Sequence, residues 1–392
     1  MQAIKAVQQN YMPTDEVLAL LEQFRLMTND CIRIGLVEGV TSLKSLSQKA
    51  YKQLGGYKVL SYYKLCSISA ATGILRNYRK ALRKHQHPTV PYARRPRLTT
   101  CYGFKIKDGL LLLPIKFHQT ISIPLNSHSL AVLAKVNVDS VTLTEHKISI
   151  SFSRAVTKVN STEYIGVDRN LDNVTIADST GEAERLDLSE ATRIKAKYRK
   201  TISRIHRNDV RVRYQIFSKY GTIERNHVQQ ILHRASKIIV LEAKRKHYGI
   251  VMEKLTGIRR LYRQGNGQGS NYRFRLNSWS FAELQRQIDY KARWEGIPVI
   301  YVNPNGTSVK CSMCGSRMAR IPEENRKLKC ASCGFMVDRD VNAARNLAAR
   351  GLRFRPDGWV GEGMVEGPTK VILKLDTHQS SQQPKTWQNQ QQ

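Results

Sequence analysis

Two C-x2-C pairs, Cys311/Cys314 and Cys330/Cys333, constrain the fold of this 392-residue chain more than any other feature. Fifteen residues separate the pairs, within the spacing expected of a four-cysteine zinc ribbon. Each pair suits a tight knuckle, with Gly315 and Gly334 just beyond to supply turn freedom. Four thiolates close a tetrahedral sphere, so one Zn2+ held there would be structural. The competing reading is four reduced thiols that bind nothing. The chain has seven cysteines. The other three, Cys31, Cys66 and Cys101, are scattered and read as packed thiols. An odd count without a secretory signal argues against a disulfide framework.

The ribbon runs directly into two acids, Asp338 and Asp340, and an Asn-Ala-Ala helix, "VNAARNLAARG". Two more acids end apolar runs: Asp168 in "YIGVD" and Glu253 in "GIVME". Alone, Asp168 reads equally well as a turn acid before "RNLDN", and Asp340 as a helix cap. Glu253 is harder to dismiss, because an unpaired acid on a buried strand is costly. Strands set side by side would bring such acids to one edge, where clustered carboxylates call for cations. Two Mg2+ ions (or Mn2+) about 3.5–4 Å apart would serve, as in phosphodiester cleavage.

Lys and Arg number 64 and Asp and Glu 31, a net charge of +33. That excess calls for a polyanionic partner, nucleic acid above all. No apolar run reaches membrane length; the longest is "GLLLLPI". With no signal-peptide core at the N-terminus, the expectation is a soluble cytoplasmic protein.

Residues 1–10 read as a strand. Helices are expected after Pro13-Thr14, over Thr41–Leu54 and over Ser61–His85. Hairpins are expected around Asp108-Gly109 and within "VTLTEHKISISFS". From Tyr164 the order is β, β, α, α, β, loop, α, β, cysteine module, α, a mixed α/β domain. Basic residues crowd one helical region, Lys195, Lys197, Arg199, Lys200, Arg204 and Arg207, and are candidates for phosphate contact. Tyr92, beside Arg94 and Arg95, is a candidate base-stacking residue. The basic, glycine-rich loop Arg259–Arg275 reads either as a lid near Glu253 or as a simply mobile loop.

The segments "IGVDRNLDN", "IVMEKLTGI", "NPNGTSVKCSMCG", "KCASCG" and "DRDVNAARNLAARG" together resemble TnpB, the insertion-sequence-encoded relative of compact type V CRISPR nucleases. The resemblance spans Tyr164–Gly351 in motifs and the preceding part in layout only. It implies a multidomain α/β fold: an RNase H-like (RuvC) nuclease domain with an inserted zinc ribbon, plus an N-terminal β-barrel (wedge) domain carrying a helical recognition insert. The expected parts are 1–12 with 99–157 as the barrel and 13–98 as the insert. Residues 158–305 with 336–355 are expected as the nuclease domain and 306–335 as the ribbon. A largely disordered tail over 356–392 completes the chain, low in complexity from about Pro368.

The resemblance further implies RNA-guided cleavage of double-stranded DNA beside a short transposon-associated motif. The guide RNA would come from the transposon end, with one protein copy per RNA. Matching motifs, Asp168, Glu253 and Asp340 form the metal-binding, catalytic triad, and Asp338 is a neighbour. Arg169 stands where many relatives carry Gly or Leu. A compact type V CRISPR effector, a non-cleaving RNA-guided regulator and a protein-only resolvase-like nuclease are the rival readings.

Overall fold

A computed structural model of the chain describes residues 2–84, 86–116, 118–205, 209–255, 269–322, 324–352 and 369–372. The chain separates into two compact units, Gln2–Ala155 and Val156 onward.

In the first unit, β1 (Gln2–Asn10) pairs antiparallel along its whole length with β7 (Lys147–Ala155). With β6 (Asn137–Leu143) and β2 (Leu98–Thr100) they form one sheet, ordered β1-β7-β6-β2. A second sheet holds β3 (Lys105–Lys107), β4 (Leu110–Lys116) and β5 (Gln119–Pro124). The β3–β4 turn is the expected two-residue hairpin: Asp108 and Gly109 take φ of 51° and 76°, the twist that matches the flanking strands. The seven strands thus make two sheets, and no ladder closes them into a ring among the described residues.

Three helices lie between β1 and β2: α1 (Asp15–Val37), α2 (Leu43–Ala50) and α3 (Ser61–Arg83). Thr14 caps α1 and Ser42 caps α2. Helix α2 ends sooner than expected; Gln53–Gly56 is a separate 3-10 turn, where two glycines weaken a regular helix. The short helix α4 (Ser127–Leu133) was not anticipated, although its Asn126 cap is visible in the sequence.

The second unit is built on a six-stranded sheet ordered β12-β11-β8-β9-β10-β16. Its strands are β8 (Tyr164–Arg169), β9 (Asn173–Asp178), β10 (Ala183–Asp187), β11 (Gly249–Glu253), β12 (Val299–Val302) and β16 (Thr369–Ile372). Strands β8, β11 and β12 run parallel, the arrangement that brings their C-terminal ends to one edge. Between β10 and β11 lie α5 (Ser189–Ser203) and α6 (Val210–Lys246); between β11 and β12 lie α7 (Ser270–Ser278) and α8 (Phe281–Trp294). Helices α5, α6 and α8 bury one face of the sheet over Ile165, Val167, Ile250 and Met252. The other face carries the last helix, α9 (Arg339–Leu352), over Tyr164, Val251 and Ala177.

Two strands go beyond the elements expected from the sequence. Strand β10 was not foreseen, because "AERLD" buries only Ala183 and Leu186. Within the stretch expected as a tail, Thr369–Ile372 forms β16 beside β10, with Ala183 opposite Thr369. Its Thr, Val and Ile favour a strand. Residues 259–268 of the Arg259–Arg275 loop lie outside the described residues, and its end is part of α7.

Candidate metal centres

The cysteine module is a three-stranded sheet of β13 (Met318–Ile321), β14 (Glu324–Cys330) and β15 (Met336–Asp338). Its two knuckles are built alike. The Gly315 amide donates to the Cys311 carbonyl at 2.9 Å and the Gly334 amide to the Cys330 carbonyl at 3.0 Å. Both glycines have positive φ, 79° and 73°, which a side chain rarely tolerates. The four Sγ atoms lie within 4.8 Å of one another. Cys311–Cys333 and Cys314–Cys330 are 3.7 and 3.5 Å apart, close to the ~3.8 Å edge of a tetrahedron with ~2.3 Å metal–sulfur bonds. Hydrogen bonds from Ser316 pull the Cys314 thiol down to about 6, towards the thiolate a metal requires, whereas without a metal burial pushes the Cys311 thiol up and Cys333 is also raised.

Helix α9 is tied to this module by a row of polar residues at four-residue spacing. Asn342 donates to the Lys310 carbonyl at 2.8 Å and accepts from the Ser312 amide at 3.0 Å. Asn346 donates to the Thr307 and Lys310 carbonyls, and Arg350 to those of Asn303 and Asn305. This explains why the cysteine module runs straight into an Asn-Ala-Ala helix: one face of α9 is alanine-small for the sheet, and another holds the first knuckle.

The acids gather at the edge where β8 and β11 end. Met252 is the register partner of Val167, so Asp168 and Glu253 follow side by side. Asp168 is 8% exposed, and Asn170 donates to it at 2.7 Å. Burial, then the negative charges of Glu253 and Asp340, push its carboxyl up to about 7. Glu253 is also raised by burial, offset by the Thr307 hydroxyl at 3.1 Å and the Arg169 charge.

Asp340 sits in the first turn of α9 and is 2% exposed. Arg326 of β14 donates to it, while Arg185 of β10 and Arg339 lie 3.6 Å away. Among the described residues, only the four cysteines bring three or more metal-binding atoms all within 4.8 Å. The carboxylates are looser, with Asp340 engaged by these guanidiniums. The helix cap is Asp338, not Asp340: its Oδ1 accepts from the Asp340 amide at 2.8 Å and the Val341 amide at 3.3 Å, and Arg185 pairs with it at 2.5 Å.

Of the basic candidates, Lys197, Arg199, Lys200 and Arg204 are exposed at α5 and its C-terminus, and Arg199 lies 4.1 Å over the Phe274 ring. Lys195 is turned inward, donating to the Ser278 carbonyl and, at 2.6 Å, to the Ser280 hydroxyl. It fastens α5 to the α7–α8 junction and is not free for phosphate. Arg207 lies outside the described residues. Arg94 and Arg95 are exposed; Tyr92 is exposed but accepts a hydrogen bond from Arg25 at 2.7 Å. The sequence reading missed Arg185, Thr307 and Arg326, and noted Arg169 without a role. The Asn342/Asn346 pair was visible as the only amides in an alanine-rich helix.

Residues 281–347 match the family description "Cas12f1-like, TNB domain". The chain is 35% identical over 218 residues to the TnpB-like protein MJ0751 of Methanocaldococcus jannaschii, covering 54% of this chain and 77% of that one. It is 40% identical over 121 residues to the CRISPR-associated endodeoxyribonuclease Cas12f1 of Sulfoacidibacillus thermotolerans, covering 30% of this chain but a quarter of that one (25%). A solved Cas12f1–sgRNA–target DNA complex shares the fold, with a TM-score of 0.63 at 15% identity, over 87% of this chain and 82% of that one. Sequence and multidomain α/β architecture agree, and the chain belongs to the TnpB family.

Proposed function

We propose that this protein is an RNA-guided DNA endonuclease of an insertion sequence, acting in the cytoplasm of a prokaryotic cell. The observation that carries the reading is the meeting of Asp168, Glu253 and Asp340 near the β8–β11 edge, where burial, then the charges of Glu253 and Asp340, push Asp168 up to about 7. In support, one relative is named an endodeoxyribonuclease, and the solved structure of similar fold is a complex with an sgRNA and target DNA. On this reading, 158–305 with 336–355 is a RuvC-type domain of RNase H-like order, and 306–335 is its zinc ribbon. The first unit supplies a wedge and a recognition insert for guide RNA and DNA.

The three carboxylates are a hard, all-oxygen donor set that suits two Mg2+ or Mn2+ ions. Bound there, the ions would supply an activated water and charge relief at the leaving oxygen. The protein's own part is placement: Asn170 orients Asp168, Thr307 orients Glu253, and Asp338 caps the helix that presents Asp340. Lys197, Arg199, Lys200 and Arg204, with Arg94 and Arg95, are proposed to hold phosphates, which position without reading sequence. Base pairing to the guide would read sequence. All three acids are present, which speaks against a non-cleaving regulator.

The test is to sequence the RNA that co-purifies, then supply matching DNA with Mg2+. One discrete RNA with a constant scaffold and a variable end, and cutting of DNA that matches that end, are expected. Random cellular fragments would overturn guidance and leave a protein-only nuclease.

Two further results are expected. Cys330→Ser lowers bound zinc, measured by elemental analysis, from one per chain towards none, with a fall in melting temperature; unchanged zinc removes the ribbon assignment. Stability of the metal-free protein also depends on pH. Asp168 and Glu253 have folded pKa values above their ordinary ones. Between about pH 4 and 7 the native state therefore holds protons the unfolded chain has released, and stability falls as pH rises through that window. The slope is at most ~1.4 kcal/mol per pH unit for each proton. Melting curves at pH 5.5 and 7.5 should show the loss without metal, and Mg2+ should reverse it.

A further inference from the structure

Arg169 follows Asp168 in the sequence but points to the opposite face of the sheet, as neighbours in a strand must. It is 2% exposed. An arginine is rarely buried so deeply unless its donors are needed there. Its three hydrogen bonds among the described residues all go to uncharged oxygens. One Nη donates to the Glu253 carbonyl at 2.5 Å; the other donates to the Gln285 side chain at 2.9 Å and the Phe281 carbonyl at 3.4 Å. Its Nε is buried without a partner.

The Glu253 carbonyl lies at the last residue of β11, beyond the final β8–β11 register pair. The Glu253 side chain has a separate anchor in Thr307. Arg169 therefore joins three elements: the end of β8 that carries Asp168, the end of β11 that carries Glu253, and the first turns of α8.

We infer that Arg169 is a positioning residue: its guanidinium fixes the backbone at Glu253 from beneath, setting where that carboxylate stands relative to Asp168. The inference rests on the assignment of the acids as cation ligands. Partners of this kind, one step removed from the ligands, commonly change metal affinity 10–100-fold. Arginine suits the task because its rigid fork serves two directions at once.

The test is Mn2+ binding to the full protein with its RNA, followed by electron paramagnetic resonance, beside DNA cleavage at limiting and saturating Mn2+. Arg169→Met should weaken the Asp168-dependent Mn2+ signal about 10–100-fold. Cleavage should fall most at limiting Mn2+ and recover in part at saturation. Arg169→Lys, which keeps the charge on a single donor atom but loses the fork, should lie between Met and the native protein. Gln285→Leu, which frees one side of the fork, should shift Mn2+ affinity the same way by a smaller factor, and serves if Arg169→Met does not fold. Native Mn2+ affinity in folded Arg169→Met, or in Gln285→Leu if the first variant is lost, overturns the inference. If the native protein shows no Mn2+ binding that Asp168→Ala removes, the assignment of the acids fails first, and the positioning role with it.

Discussion

Glu253→Ala should abolish DNA cleavage, by about a thousandfold or more, while RNA and target binding persist. The separation follows from where the charges are. Binding to nucleic acid is carried by a chain at +33, and one carboxylate fewer on a buried strand end leaves those contacts and their salt dependence intact. Cleavage needs the acid itself, because a carboxamide or methyl group cannot neutralise and hold a divalent ion. Asp168→Ala and Asp340→Ala should behave alike.

Asp338→Ala separates ligand from scaffold. It removes the cap of α9, worth about 1 kcal/mol, and the partner of Arg185. If all of that were lost from the barrier, activity would fall by roughly fivefold and not vanish. Gel-shift binding and single-turnover cleavage on the same preparations decide the matter. Full cleavage by Glu253→Ala, or an inert Asp338→Ala beside an active Asp340→Ala, would defeat the assignment.

The parts of this site that were legible in the sequence are those where one residue type is costly or useless anywhere else. Paired cysteines at knuckle spacing have one economical use. An acid that ends a buried strand, as Glu253 does, demands a cation nearby. The parts that were not legible depend on partners distant in sequence. Nothing local shows that Lys195 meets Ser278 and Ser280, more than eighty residues on, so a helix rich in lysine and arginine reads as one solvated face.

Arg326 sits exposed on β14, and only the fold brings it to Asp340. Strand β10 was missed, and Arg185 with it, because five residues with two inward side chains carry little periodic signal. Helix α7 buries no residue and so lacks an apolar stripe to betray it. The hairpin at Asp108-Gly109 was legible for the opposite reason: its signal is local backbone chemistry.

The placement of Asp340 rests on Gly166, and Gly166→Ala should therefore remove both stability and cleavage. A Cβ at Gly166 would stand 1.9 Å from the Ala344 carbonyl oxygen and 2.6 Å from the Ala348 amide. Both are backbone atoms of α9, so no side chain can rotate away. Either β8 or α9 must move, and overpacking against rigid backbone costs about 3 kcal/mol or more. Movement of α9 carries Asp340 away from Asp168, since Asp340 lies on the same helix one and two turns before the contact.

Gly221→Ala provides the opposite expectation within the same unit. It lies inside α6 with nothing within 4 Å of the added Cβ, so it should raise stability by about 0.5–1 kcal/mol and leave cleavage unchanged. Urea unfolding of the metal-free variants, paired with cleavage rates, measures both. A stable, active Gly166→Ala protein would mean that α9 does not rest on β8 as described, and that Asp340 reaches the acid cluster by another route.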